Sequence, residues 1–477
     1  MKTQIKYAAM LFAAVAMVFA GCKSQVEKDL ESDYNENANV KEMTPDEQKD
    51  YLVEVGKEFI ATFNAEDQRG AVNLAEGLYR KYNTWDWEVI SEQMEKEWNK
   101  LDADGFFRMP ARIAALATGE ATTMDTKELF ISFAVAGRLF EFDEKTKTMK
   151  VSETKDGSIV ARFKDENGTD CELKVWGEGK TTPVTFTYDE YRWEGGYYDA
   201  YDNWVDYQKV YVGERIIKVE VPAEVDMYLK QGSTTIMSVE FAWESNFKDY
   251  VNHSLSLKVT NITWNQELKA STTDASAAFS LTYGDTKLIV AAVDLPKYQL
   301  IDWEGGKDIA LEDAESWIEQ YDDQYKTILG SLGKGEGVVD IMSKVRGKMS
   351  ITDGAGFYDA MNRWSNTNYA TDLENETAYC NVYNSYIHAG LYYGGKTEQA
   401  QVKMQPTYSY TDEYYGERYN SVPVLYFPKD GTTYEVVTFF ESAKFNVLID
   451  LAEDLLNAYK DLDTGHLLFD GGRIELN

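Results

Sequence analysis

Histidine and cysteine are scarce in this chain of 477 residues, and the scarcity limits its chemistry. It contains three residues of each type: His253, His388, His466, Cys22, Cys171 and Cys380. The histidines are scattered without the paired spacing of zinc ligands, so the sequence offers no zinc site. It also lacks a nucleophile elbow, a P-loop and a dinucleotide-binding fingerprint. These absences count against nucleophilic, zinc and nucleotide chemistry, and we lean away from an enzyme.

Basic residues are also in short supply. The chain has 48 Lys and Arg against 81 Asp and Glu, which gives a formal net charge of −33. Such a surface repels phosphates, so we expect no nucleic-acid partner. The field permits cations and neutral ligands, and it also keeps the protein soluble. A glycosidase needs only two carboxylates, and this chain has many. A carboxylate-based hydrolase is therefore a third hypothesis, less favoured than the two binding functions given at the end of this section.

No cofactor is predicted. The nearest approach to a calcium loop is Asp102-Ala103-Asp104-Gly105. An EF-hand in that register would place Lys100 and Ala111 where acidic ligands are required, so we reject it. A looser Ca2+ site among the clustered carboxylates stays open.

The start of the chain has the layout of a secretory signal peptide. Lys2 and Lys6 precede a continuous apolar run, Ala8–Ala20, which is too short and wrongly flanked to cross a membrane. Gly21 and Cys22 follow, where a small-residue cleavage site belongs. An ordinary cleaved signal peptide, in which Cys22 has no special role, is one interpretation of this layout.

The ending Phe19-Ala20-Gly21-Cys22 resembles the lipobox of bacterial lipoproteins. The resemblance implies that residues 1–21 are removed and that the thiol of Cys22 is acylated. It implies a lipoprotein of the Gram-negative envelope, in the outer membrane, with the membrane as a partner through its lipid anchor. Burial of acyl chains contributes about 0.8 kcal/mol per methylene, so more than one chain makes the anchor nearly permanent.

Residues 22–43 are predicted to be a flexible, lipidated tether, because they are acidic and show no apolar periodicity. The acidic stretch loosely resembles surface-export signals of some Gram-negative lipoproteins. Residues 44–137 are predicted to be helical. A capping box at Thr44-Pro45-Asp46-Glu47 begins the first helix, and the others are expected at Asp67–Tyr82, Trp85–Leu101 and Arg108–Thr118.

Residues 138–300 change to a period of two and predict an antiparallel β-meander. Asp156-Gly157 and Asn167-Gly168 predict hairpins between alternating segments. The alternation slips by one residue at Thr260-Asn261, which is typical of a β-bulge. Thr187–Gln208 is interpreted as a long loop or the end of a lengthy hairpin.

Residues 301–477 are predicted to mix helices and hairpins, so the whole chain is assigned to the α+β class. Helices are expected at Ala310–Leu329, Val338–Val345, Ala378–Ala389 and Ser442–Tyr459. Hairpins are expected around Asp430-Gly431, with arms Val422–Phe427 and Tyr434–Phe440, and within Leu467–Leu476. Cys171 and Cys380 are left either bridged or as buried free thiols.

Two stretches combine tyrosine and tryptophan with acidic residues, Thr187–Gln208 and Tyr408–Tyr426. Aromatic faces pack on sugar rings while carboxylates bind the hydroxyls, and the same residues suit a protein interface. These tyrosines also fit a third interpretation, in which they simply cover the sheet. The candidate ligand-binding residues are Tyr191, Trp193, Tyr197, Tyr198, Trp204, Tyr414 and Tyr415.

The sequence leaves the function between two hypotheses of different class. In the first, the protein is a glycan-binding or polar-ligand-binding module of a nutrient-acquisition system. In the second, it is a scaffold that binds an envelope protein and has no small ligand.

Overall fold

A computed structural model describes residues 34–35, 37–82, 137–165, 167–194, 197–198, 204–205, 208–245, 250–271, 274–296, 334–412, 414 and 416–463. The chain divides into two units, one of residues 1–79 with 236–477 and the other of residues 80–235. Helices and a large, mostly antiparallel set of strands confirm the α+β class. Within these ranges, no helix has the length and apolar character needed to span a membrane.

The smaller unit is built on a very long hairpin. Its strands are β1 Arg138–Asp143, β2 Thr148–Glu153, β3 Ile159–Lys164, β4 Asp170–Glu194, β5 Tyr197–Tyr198, β6 Trp204–Val205 and β7 Gln208–Gln231. β4 pairs with β7 along nearly their whole length, and β5 pairs with β6 in the connection between them. The stretch Thr187–Gln208 is therefore largely the end of a hairpin, which was one of its two predicted forms.

The predicted hairpin at Asp156-Gly157 is wrong. β3 does not pair with β2 but lies parallel to β1, which occupies the position between them. Gly137 explains the crossover, because its N–H donates to Gly157 and its carbonyl accepts from the N–H of Thr154. The connection thus bonds to the entrance of β1 instead of folding back on β2. Asn167-Gly168 does join the paired strands β3 and β4, as predicted.

The strands of the larger unit follow one another antiparallel in chain order from β8 to β18. They are β8 Thr234–Ser245, β9 Tyr250–Val259, β10 Ile262–Ser271, β11 Asp274–Tyr283, β12 Thr286–Pro296, β13 Gly335–Ile341, β14 Val345–Ile351, β15 Ile387–Tyr393, β16 Glu398–Asp412, β17 Gly416–Tyr426 and β18 Thr433–Glu435. β12 pairs with β13, so the strands on both sides of residue 300 belong to one ladder.

Two local predictions in this unit are wrong. Thr260-Asn261 is not a bulge but the two-residue turn between β9 and β10, in which Val259 faces Ile262. A two-residue reversal shifts the alternation by one position, as a bulge does, so the two give the same sequence pattern. Val338–Val345 is not a helix, because Met342 and Ser343 adopt left-handed conformations that reverse the chain from β13 to β14.

The helices are α1 Pro45–Thr62, α2 Arg69–Tyr82, α3 Gly354–Ser365, α4 Asp372–Tyr386, α5 Val436–Phe440 and α6 Asn446–Leu462. The capping box of α1 is confirmed: Thr44 accepts from the N–H of Glu47, and the Glu47 carboxylate accepts from the N–H of Thr44.

Two helix predictions and one hairpin prediction need adjustment. The second predicted helix opens with a 3-10 turn, Ala65–Gln68, before α2. α4 begins earlier than predicted and gives way to β15 at Ile387, and residues 436–440 form α5 instead of the second arm of a hairpin. The predictions for Trp85–Leu101, Arg108–Thr118, Ala310–Leu329 and Leu467–Leu476 lie outside the described residues.

One hydrophobic core of the larger unit lies between α1, the strands β16 and β17, and α5. Its buried members are Val53, Ala400, Leu425, Phe427, Phe439 and Phe445. A second cluster joins Val55 of α1 to Val345 and Tyr393. α6 packs beside α1 at Gly56, where a Cβ atom would lie 2.6 Å from Leu448 Cδ1. These contacts hold the helices against β14–β17.

Residues 34, 35 and 37–43, termed here the N-terminal strap, belong to the folded part and not to a flexible tether. Tyr34 is 1% exposed, and its hydroxyl donates to the carbonyl of Gly395 at 2.9 Å and accepts from the N–H of Gly395 at 3.0 Å. The N–H of Lys396 donates to the carbonyl of Ala38 at 3.1 Å. Met43 donates its N–H to Gln399 Oε1 at 2.8 Å. The bonds to Gly395 and Lys396 satisfy backbone groups of the β15–β16 turn. Composition alone does not reveal these contacts.

Candidate functional site

An exposed group of tyrosines stands at the end of the β16–β17 hairpin. Tyr408 is 52% exposed, Tyr410 is 55% exposed and Tyr414 is 89% exposed. We term this end the tyrosine tip. Three tyrosine rings that are at least half exposed on one hairpin make this end the candidate site.

The hairpin backbone positions these rings by local hydrogen bonds. Gly416 adopts φ +75° at the start of β17, a conformation that glycine accepts without strain. Asp412 Oδ1 accepts from the N–H of Tyr414 at 2.8 Å, which fixes the turn. A register irregularity between Tyr408 and Tyr410 sets Tyr408 opposite Tyr419 and Tyr410 opposite Arg418. The rings of Tyr408 and Tyr419 meet edge to face, 5.9 Å between centroids.

The start of α4 braces the same hairpin from its side. Asp372 Oδ2 accepts from the N–H of Tyr419 at 2.5 Å, and Asp372 Oδ1 lies 3.5 Å from the Arg418 guanidinium. One turn further on, Glu376 Oε2 accepts from the hydroxyl of Ser421 at 2.5 Å. Because α4 is bonded to β17 at two positions along the strand, the tyrosine tip is carried on a rigid element.

Carboxylates lie among the exposed rings. The Tyr419 hydroxyl donates to Glu417 Oε2 at 2.9 Å, and this hydrogen bond raises the pKa of the Tyr419 phenol. The Tyr408 hydroxyl bonds to the Thr411 hydroxyl at 2.9 Å. The arrangement offers flat apolar faces beside hydrogen-bond acceptors and hydroxyls, which suits binding of a polyhydroxylated ligand. It does not assemble a nucleophile with a general base.

The sequence-predicted site residues fall in both units. Tyr414 lies in the tyrosine tip of the larger unit, whereas Tyr415 and Cys22 lie outside the described residues. In the smaller unit, Tyr191 and Trp193 stand on β4, and their backbone partners on β7 are Tyr211 and Lys209. Tyr197 and Tyr198 form β5, and Trp204 forms β6 with Val205. The structure thus brings Tyr198 and Trp204 together as direct partners in one short ribbon.

Tyr211 was missed by the sequence analysis. It is 54% exposed and is paired with Tyr191 across the long hairpin. Its signal was available, because it continues the run of tyrosines beyond Gln208. Tyr408 and Tyr410 were noted as part of an acidic, tyrosine-rich stretch but not chosen as ligand candidates. Their exposure depends on the hairpin register, which composition does not reveal.

A second polar cluster surrounds Glu398 at the start of β16. His388 Nε2 lies 2.7 Å from Glu398 Oε2, the Tyr392 hydroxyl donates to the same oxygen at 3.0 Å, and Gln401 donates to Oε1. The carboxylate lies over Gly390, where a Cβ atom would stand 2.5 Å from Oε2. The cluster orients one histidine with one carboxylate. No sequence motif indicates this cluster, because its members are common residue types spread over fourteen positions.

Metal and disulfide sites are not found in the described residues. No group of three His, Cys, Asp or Glu side chains is arranged there to hold a metal ion. Cys171 and Cys380 are both buried and form no disulfide, which decides between the two forms left open for them. Burial raises the pKa of the Cys380 thiol, and the Sγ lies 3.2 Å from the Ser421 hydroxyl.

Comparison with known proteins adds no family to this description. No protein-family model matches the chain, and no curated protein or solved structure matches it significantly.

Proposed function

We propose that the protein is an envelope lipoprotein, anchored through Cys22, that binds a glycan or a similar polyhydroxylated ligand at the tyrosine tip. The anchor rests on the lipobox-like sequence Phe19–Cys22, and the ligand class rests on the exposed rings and the carboxylates between them. A nutrient-acquisition system at the cell surface is the setting in which such a module is useful.

One observation carries the ligand assignment: three tyrosine rings at least half exposed on a hairpin that α4 braces. Tyrosine gives a large, rigid contact area at low cost in side-chain entropy, so it binds well when its backbone is fixed. The neighbouring acceptors, such as Glu417, match the hydroxyl groups of a sugar. The acidic character of the chain disfavours anionic polysaccharides and favours neutral ones.

A partner protein is the second candidate. Leu373, next to the bracing residue Asp372, is 41% exposed. An exposed aliphatic side chain on the helix that braces the hairpin suits the apolar core of a protein interface better than a polyhydroxylated ligand.

Affinity electrophoresis through gels with a panel of neutral polysaccharides tests the proposal. We expect retardation of the wild type by at least one polysaccharide, and about tenfold weaker binding, near 1.4 kcal/mol, for Tyr410→Ala and Tyr414→Ala. Tyr79→Ala is the matched control, because Tyr79 is a similarly exposed tyrosine on α2. Trp204→Ala tests the ribbon of the smaller unit in the same gels.

The outcomes separate the candidates. Retardation lost in both tip variants but kept in Tyr79→Ala supports the tyrosine tip. Loss in Trp204→Ala alone moves the ligand site to the ribbon. If the wild type passes every gel without retardation and a defined envelope protein co-purifies through Leu373, the glycan assignment is wrong and the partner-binding candidate replaces it.

A further inference from the structure

The N-terminal strap fixes where the lipid anchor leaves the folded part. Tyr34 is held at Gly395, and Ala38 is held at Lys396, both in the turn between β15 and β16. Gln48 of α1 closes the arrangement, since its Nε2 donates to the carbonyl of Gln399 at 2.7 Å. The chain therefore departs toward Cys22 from the end of the sheet at which β16 begins.

The strap is anchored on more than hydrogen bonds. The ring of Tyr34 lies 4.1 Å from the guanidinium carbon of Arg346, which is itself 2% exposed. Arg346 forms a two-pronged ion pair with Asp340 at 2.6 Å. The contact of the Tyr34 ring with this buried guanidinium adds a cation–π interaction to the hydrogen bonds that hold the strap.

The tyrosine tip lies at the other end of the same strand. β16 runs from Glu398, beside the strap, to Asp412, at the tip. Fourteen residue steps at roughly 3.3 Å each separate these two ends by about 45 Å. The strap and the tip are therefore at opposite ends of one rigid hairpin.

Only twelve residue steps separate Cys22 from Tyr34. A fully extended chain of that length spans at most about 40 Å. With the strap docked, the β15–β16 turn cannot move farther than this from the acylated cysteine. Without docking, the free chain would extend to the start of α1, and the reach would nearly double.

We propose that the strap orients the protein on the membrane, with the β15–β16 turn facing the bilayer and the tyrosine tip presented outward. This inference rests on the proposed function, because it requires the acyl anchor at Cys22 and treats the tip as the ligand surface.

Energy transfer from a labelled lipid to single cysteines tests the orientation. Lys396→Cys places a label at the strap end, and Tyr414→Cys places one at the tip; the full-length acylated protein is reconstituted in vesicles with a dye-bearing lipid. The unsubstituted protein, whose Cys171 and Cys380 are buried, gives the background. We expect transfer to the Lys396→Cys label to be at least threefold more efficient than transfer to the Tyr414→Cys label.

Two further variants test whether the strap causes the difference. Gly395→Ala would press a methyl group against the carbonyl of Ala38 and within 2.8 Å of Val40 Cγ2, and so displace the strap. Tyr34→Ala removes the ring. We expect either variant to lower transfer to the Lys396→Cys label and bring the two positions together. Gly395→Ala leaves Arg346 and Asp340 untouched, which keeps the test valid if Tyr34→Ala does not fold.

Flotation of the same vesicles separates the possible failures. A protein that does not float with the vesicles would overturn the acyl anchor and this inference together. A protein that floats but shows equal transfer at the two positions would overturn this inference alone, and glycan binding at the tip would be unaffected. A difference that survives Gly395→Ala would show that the strap is not its cause.

Discussion

Arg346 and Asp340 are charged residues that the fold removes almost completely from water. Their two short bonds satisfy both side chains in part, and the Tyr34 ring covers the guanidinium. A buried pair of this kind adds little net stability, because desolvation offsets the attraction. Its loss is still costly, since removing one partner leaves the other charge in the interior without this ion pair.

Asp340→Asn is therefore expected to lower the free energy of unfolding by about 3 kcal/mol, measured by urea denaturation. The double variant Asp340→Leu with Arg346→Met should recover most of that loss, because it removes both charges. The exposed pair Lys57–Glu54 supplies the control, and Glu54→Gln should change stability by less than about 0.5 kcal/mol. Equal effects of Asp340→Asn and Glu54→Gln would contradict the role given to burial.

The phenol of Tyr34 makes the fold sensitive to alkaline pH. Burial raises the pKa of Tyr34 from its ordinary value of 10 to about 12, so the folded state holds the proton that the unfolded state releases. Stability from this group is complete below pH 10 and declines as the pH rises toward 12. We expect the urea midpoint to fall between pH 10 and pH 11.5.

Tyr34→Phe should flatten that decline, because phenylalanine has no proton to lose. Its cost at pH 7 should be about 1 kcal/mol, from the lost hydrogen bonds to Gly395. Buried Tyr393 and partly buried Tyr459, whose pKa values are also raised, preserve some of the slope. An unchanged alkaline slope in Tyr34→Phe would count against this assignment.

At the scale of single elements, β15 requires a glycine at position 390, where no side chain fits. Gly390 stands between His388 and Tyr392 on the strand, and the Glu398 carboxylate occupies the space above it. Gly390→Ala would put a methyl group 2.5 Å from Glu398 Oε2 and 3.1 Å from the Tyr392 ring.

We expect Gly390→Ala to lower the free energy of unfolding by about 2 kcal/mol, because the carboxylate must leave its donors or the strands must separate. Ser350→Ala is the matched control, since Ser350 is the backbone partner of His388 on β14. Its effect in the same urea titration should stay near 0.5 kcal/mol or less. A fully stable Gly390→Ala protein would mean that Glu398 moves aside without cost.

Local chemistry explains which elements the sequence predicts correctly. The capping box at Thr44 fixes the start of α1 within a single turn of helix, and Gly168 occurs with φ +79° in the predicted hairpin between β3 and β4. Asp156-Gly157 looked equally clear, yet β3 pairs with β1. Which strand becomes a neighbour depends on contacts distant in sequence, and a turn motif carries no information about them.

The candidate site, too, could be predicted only where it depends on neighbouring residues, and not where it depends on residues distant in the sequence. Tyrosine content marked the stretch Tyr408–Tyr426, but the exposure of Tyr410 follows from its register opposite Arg418. Met342 and Ser343 could not be predicted as a turn, because non-glycine residues seldom adopt positive φ. The contact between Tyr34 and Gly395 joins residues 361 positions apart, beyond any periodicity.

For the molecule as a whole, the separation between Tyr34 and its partners also sets an order of events. Arg346 and Gly395 are made long after Tyr34, so the strap has nothing to dock upon while most of the chain is still being synthesised. The strap reaches its place only once the turn between β15 and β16 exists, so its docking is a late event in the folding of the larger unit.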